Sequence, residues 1–195
     1  MSDTRISLPF HVLFVDDTNG AASLMSEALL RDLNATVGNN RFVAHSAGLS
    51  PDAQVHADVL AELRRRSVPV DALKTKTVDQ AIAAAARIDL VVSHSDATDG
   101  AVMPPAGGVG VQAYWPVEDP LSVAVNTVDA TQRARAMSDV FEICRARVDR
   151  LARLPTASLE ERQAVLAIAN SAKPEIHPED YPAEYGVTLR PDLPE

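Results

Sequence analysis

The sequence predicts an α/β protein built on a parallel sheet of about four strands, flanked by helices in three layers. Two observations carry this expectation. Short continuous apolar runs, the pattern of strands buried on both faces, alternate with longer stretches whose apolar residues recur every three or four positions. Strands separated by helices in this way join through right-handed crossovers into one parallel sheet.

The first apolar run is His11–Val15. Met25, Leu29 and Leu33, with Ala28 beside them, then form a helical stripe. Residues 41–47 (RFVAHSA), closed by Gly48, make a second strand. Val55, Val59, Leu60 and Leu63 mark a second helix that ends in Arg64, Arg65 and Arg66. Val78–Ile88 is Ala-rich and predicted helical, and Asp89–Ser93 (DLVVS) is a third buried strand. A Gly/Pro-rich loop over Asp99–Gly110 leads to a short strand near Val111–Trp115. Thr127–Leu154 is the longest predicted helix, with Met137, Phe141, Cys144, Val148 and Leu151 spaced by four and three. One more helix is expected over Leu159–Asn170. Residues 171–195 then hold five prolines and six acids against two bases, too little apolar surface to order alone. The expected organisation is an α/β domain over residues 1–155 and a helical, Pro- and acid-rich extension over 156–195.

Composition excludes several classes of function. A net charge of −9 argues against nucleic acid or an anionic membrane surface as partner. Aromatics at 4% disfavour a stacking platform for single strands. A single cysteine, Cys144, rules out an intramolecular disulfide and a thiolate zinc cage. No apolar stretch approaches the ~20 residues that span a bilayer. The first residues, MSDTRISLPF, carry no basic region followed by an apolar one, so a cytoplasmic protein is expected.

The chemistry is expected where the first strand turns into the first helix. Ligands of open α/β sheets sit beyond the carboxyl ends of the strands, against helix N-termini. That place is Asp16, Asp17, Thr18, Asn19, Gly20, Ala21, Ala22 and Ser23. It has the layout of a phosphate loop, yet it begins with two carboxylates and contains no cation.

Residues 12–30 (VLFVDDTNGAASLMSEALL) resemble the first strand, phosphate loop and first helix of low-molecular-weight protein tyrosine phosphatases and thioredoxin-coupled arsenate reductases. HSAG (45–48) is similar to the end of that family's second strand, DLVVS (89–93) to its third, and WPVEDP (115–120) to the segment that bears its general-acid Asp-Pro. The resemblance spans about residues 10–154. It implies a nucleophilic Cys position at Asp16 and a phosphate-gripping Arg position at Ala22. It also implies loop-buttressing roles for Asn19 and Ser23 and the general-acid position at Asp119. The reductases' further redox cysteines would fall near Ser95 and Val102–Met103, and none is cysteine.

Those replacements bear directly on the chemistry. A thiolate held by backbone N–H groups is needed to attack phosphorus or arsenic, and a guanidinium to grip the equatorial oxygens. Cys144 lies on an apolar helical stripe and is expected to be an inert core residue. The resemblance therefore implies an inactive relative that acts by binding a ligand or partner, without a cofactor.

Three readings of the carboxylates follow. Asp16 can fill the anion-binding nest itself. Alternatively, Asp16, Asp17 and Asp119, with His94 nearby, can hold a divalent cation such as Mg²⁺ and support metal-dependent phosphoryl transfer or hydrolysis. Against this, adjacent strand residues point to opposite faces. Thirdly, VLFVDD followed by a helix also resembles the start of a response-regulator receiver domain, although its phosphoacceptor would fall on His94.

Other residues are given ordinary roles. His11, His45, His56, His94 and His177 contain no pair spaced i,i+4. Arg64–Arg66 is expected to be a solvated helix end, and Lys74 and Lys76 loop charges. Gly107, Gly108 and Gly110 lead into a strand and are no nucleotide fingerprint. Tyr181, Tyr185, Val187 and Leu189 are candidate anchors through which residues 171–195 pack on a second copy, a protein partner or the parent domain.

Overall fold

The computed structural model describes residues 9–37, 41–102, 110–121, 130–154 and 168. Its elements run β1 (Phe10–Asp16), α1 (Ala22–Val37), β2 (Phe42–Gly48), α2 (Ala57–Arg65), α3 (Val78–Ala84), β3 (Leu90–Ser93), β4 (Val111–Tyr114) and α4 (Ala130–Arg153). The four strands form one parallel sheet in the order β2-β1-β3-β4. The predicted class, strand number and direction therefore hold.

The period of two along β1 sorts its side chains between two cores. Val12 and Phe14 face α1, α2 and α4, together with Trp115, Phe141, Cys144 and Leu151. Leu13 and Val15 face the other way, onto Ala47, Ala81, Ile88 and Val91. Burial on both faces is why β1 reads as an unbroken apolar run. The first nine residues of α1, Ala22–Leu30, are all buried, because α4 covers the side of α1 that the sheet leaves open.

Two helices differ from their sequence patterns. The Ala-rich segment begins at a capping box, with Thr77 accepting from the Gln80 N–H and the Gln80 side chain accepting from the Thr77 N–H. It stops at Ala84 rather than Ile88, since Ala85 is extended and the chain must turn into β3. Asp89 anchors that entry by accepting the His11 N–H at 2.9 Å and pairing with Arg87. At α2, Arg66 is not a solvated end charge. Its guanidinium lies 4.8 Å from the Phe141 ring centre and pairs with Glu62 and Glu142, fastening α2 to α4.

The helix expected over Leu159–Asn170 and the segment 171–195 fall almost wholly outside the described residues. Of them only Ile168 is described, helical and packed into the larger core. No described helix is long and apolar enough to cross a membrane.

Candidate functional site

Asp16 ends β1 and Ala22 begins α1, so residues 17–21 are one tight turn at the carboxyl edge of the sheet. The Asp16 carboxylate folds back into this turn. Oδ1 accepts the Gly20 N–H at 3.2 Å and Oδ2 the Ser23 N–H at 3.0 Å. A side-chain oxygen thus takes donors that a helix N-terminus would otherwise aim at an anion.

Asn19 holds the turn from behind. It is one of two described non-glycine residues with positive φ, at 50°, a conformation asparagine tolerates better than most. Its amide donates to Ser23 Oγ at 2.9 Å, and its carbonyl oxygen accepts the Lys76 N–H at 2.8 Å. The segment after β2 runs alongside, with the N–H groups of Leu49, Ser50 and Asp52 bonded to the carbonyls of Asp16, Asp17 and Thr18. Gly48 lies against the backbone of Thr18 and Asn19, too near for a Cβ to fit.

Burial pushes the Asp16 carboxyl above its ordinary value. Hydrogen bonds from Ser23 and Gly20 oppose the rise, and the charge of Asp119 adds to it. The nest therefore receives the carboxylate geometrically but does not fully offset its desolvation. The sign follows from linkage. A raised native value favours the fold at acid pH, and that contribution is lost as pH rises through the native value.

The proposed cation site is not assembled. Among the described residues no three His, Cys, Asp or Glu side chains are grouped so as to hold a metal ion. Asp16 turns into the nest, while Asp17 accepts from Ser95 Oγ at 2.6 Å. Asp119 accepts the Leu121 N–H at 3.0 Å. His94, only 1% exposed, points into the core. Its Nδ1 lies 2.9 Å from the Trp115 carbonyl and its Nε2 3.2 Å from Ser26 Oγ. The carbonyl can only accept, so Nδ1 carries the proton and Nε2 accepts from the Ser26 hydroxyl. Burial lowers this imidazole to about 4, keeping it neutral. The residues present do not fit a divalent cation, because each of these four side chains is turned to a separate protein partner.

Cys144 behaves as its helical spacing predicts. It is buried, its thiol faces the Ala22 carbonyl at 3.7 Å, and burial pushes it up to about 11. At neutral pH it supplies no thiolate. Of the positions set beside the reductases' further cysteines, Ser95 and Val102 are described, and Met103 lies outside the described residues.

Sequence reasoning missed two partly buried polar groupings. Lys76 is no loop charge, since its ammonium lies 3.0 Å from Glu27 of α1, itself buried, and is also bonded to the Lys74 carbonyl. The Thr77–Gln80 capping box was a legible clue that Lys76 sits at a fixed junction. The other grouping, His11 against His45, joins residues 34 positions apart and left no local signal.

A model of the family described as low molecular weight phosphotyrosine protein phosphatase matches residues 11–109, or 99 of the 195 residues. The chain belongs to that phosphatase family. The match covers the loop, β2 and β3, and it overturns the receiver-domain resemblance. No curated protein sequence matches the chain.

Solved structures of this family's fold superpose on it. YfkJ from Bacillus subtilis is 21% identical, covering 70% of this chain and 92% of its own, with a TM-score of 0.53. An arsenate reductase in the phosphate binding state is 22% identical, covering 73% and 95%, with a TM-score of 0.55. A low molecular weight protein tyrosine phosphatase from T. tengcongensis is 15% identical, covering 73% and 97%, with a TM-score of 0.54. At these identities the likeness is one of fold.

Proposed function

We propose that this phosphatase-family protein is catalytically inactive and serves in the cytoplasm as a binding or regulatory protein, with no cofactor. The observation that carries the reading is the Asp16 carboxylate, which occupies the N–H groups of Gly20 and Ser23 where the fold would otherwise receive an oxyanion. Two further facts support it. Ala22 presents a methyl group at the end of the turn, where gripping a phosphate takes a guanidinium. The sole thiol is buried, protonated and bonded to the Ala22 carbonyl. An incoming phosphate would also meet the charge of Asp119, which already acts on Asp16.

The test is turnover. The purified full chain is expected to leave an aryl phosphate unhydrolysed above buffer across neutral pH. Hydrolysis that disappears in Asp16→Ala would overturn the proposal. The same variant reports on the loop. Freed of its tethered occupant, Asp16→Ala is expected to bind inorganic phosphate, melting about 2–4 °C higher for each kcal/mol of linked binding. The wild type should not respond. A flat phosphate series in both proteins would show that Asp16 is not what closes the nest.

Residues 171–195 are the proposed contact with a second copy or a protein partner, on the strength of their proline and acid content and the apolar anchors Tyr181, Tyr185, Val187 and Leu189. Ending the chain after Asn170 is expected to lower the light-scattering mass or the melting temperature. Unchanged values for both would dismiss that role.

A further inference from the structure

We propose that His11 and His45 form a proton-sensitive latch between β1 and β2, closed while the pair has taken up at most one proton beyond its two neutral rings and opened by acid. Strand register sets His11 opposite Val43 and Leu13 opposite His45, so both imidazoles stand on the sheet face that carries Leu13. Their planes are inclined by 18° and their centres are 5.5 Å apart, while His11 Nδ1 lies 3.3 Å from His45 Nε2. The nitrogens are nearer than the centres by almost the full radius of both rings. The rings therefore meet edge to edge, nitrogen against nitrogen, and not face to face.

Such a contact is a hydrogen bond only when one nitrogen carries a proton and the other offers a lone pair. It survives the addition of one proton to the pair. A second proton sets two N–H groups and two positive charges against each other at 3.3 Å. The surroundings give only partial relief, because at each ring the acid outweighs the base but not the desolvation. Asp89 and Arg87, at the entry to β3, act on His11 with opposite signs and are paired with each other. Glu27 of α1 and Lys76, just ahead of α3, act on His45 with opposite signs and are likewise paired. Burial lowers both imidazoles below their ordinary value of 6.5, and for His45 the neighbouring His11 lowers it further.

Linkage sets the direction. With the native values depressed, the unfolded chain binds protons that the fold refuses. The stabilisation is complete above the ordinary imidazole value and is lost as pH falls below it. The latch closes the amino-terminal end of the sheet, away from the Asp16 turn. There Phe10 meets Phe42 edge-on, and Arg41 donates to the carbonyls of Ala152 and Leu154 at the end of α4.

Urea unfolding of the full chain from pH 7.5 to 5 tests this. For one refused proton, the wild-type unfolding constant should rise about tenfold per pH unit below roughly 6, over and above the rise in His11→Gln/His45→Gln. His56→Gln, which changes an exposed helix cap, should keep the wild-type slope. Equal slopes in the wild type and the double variant would overturn the latch. If the double variant does not fold, nitrogen NMR of the wild-type imidazoles decides. Two titration steps more than about one unit apart are expected of a pair sharing a proton. Two rings titrating together near the ordinary value of 6.5 would refute it.

Discussion

The Lys76→Met variant is expected to lose about 3 kcal/mol of folding free energy, because it removes the nearer and more buried of the two cations at Glu27. That buried carboxylate keeps only the longer, half-exposed pairing with Arg31 at 3.5 Å. The Lys76 and Glu27 side chains are 12% and 7% exposed, with Nζ 3.0 Å from Oε2, so water screens the pair little. The same ammonium reaches Ser46 Oγ at 3.4 Å, and the Ser46 hydroxyl in turn donates to Glu27. Methionine fills much of the lysine's volume but supplies no donor. The double variant Lys76→Met/Glu27→Gln should recover a large part of the loss, since no stranded charge remains. Urea unfolding at neutral pH measures both. A loss under about 1 kcal/mol in the single variant, the range of exposed pairs, would show that the pair stands in water. The defect should also reach the loop, for the Lys76 N–H holds Asn19 Oδ1 at 2.8 Å. Faster amide exchange at Gly20 and Ser23 is the expected sign.

Gly48→Ala is expected to cost about 3 kcal/mol, at the upper end of ordinary overpacking. A Cβ built there would lie 2.4 Å from the Asn19 nitrogen and 2.7 Å from the Thr18 carbonyl carbon. Both are backbone atoms and cannot rotate aside. Relief requires moving either β2, whose Gly48 N–H donates to the Lys76 carbonyl at 2.9 Å, or the turn that Asp16 occupies. The strain therefore falls on the candidate site and not on a remote core position. Gly20→Ala makes a useful contrast, because its worst contact, 2.6 Å, is with the rotatable Thr18 hydroxyl. The thermal midpoint of Gly48→Ala should fall well below that of Gly20→Ala. The reverse order would mean that the loop and β2 are not held against each other.

Much of the fold was legible because the information is local. An apolar run such as VLFV identifies β1 wherever it lies, and the four-and-three spacing of Met137 to Leu151 marks the buried face of α4. The loop was legible for the same reason. Its residues are consecutive, and the turn they form includes the positive φ of Asn19. The end of α3 was misplaced because alanine propensity continues past Ala84, whereas the path of the chain into β3 does not.

Partners far apart in the chain were not legible. Histidines 34 positions apart, a lysine 49 positions from its glutamate, and a cluster of carboxylates each turned to a different partner depend on register and direction. The list of residue types gave the cation site its appeal, and side-chain direction removed it.

By itself, then, the amino-acid sequence determined a parallel α/β sheet, the position of its phosphate-type turn, and the presence there of an acid and a methyl group. Each is a property of neighbours along the chain. Only the tertiary structure decided that Asp16 bends into its own nest, that Lys76 reaches the buried Glu27, and that two histidines share an edge. Those outcomes depend on which side chains packing brings within 3–4 Å, where desolvation gives a charge or a proton its energetic weight.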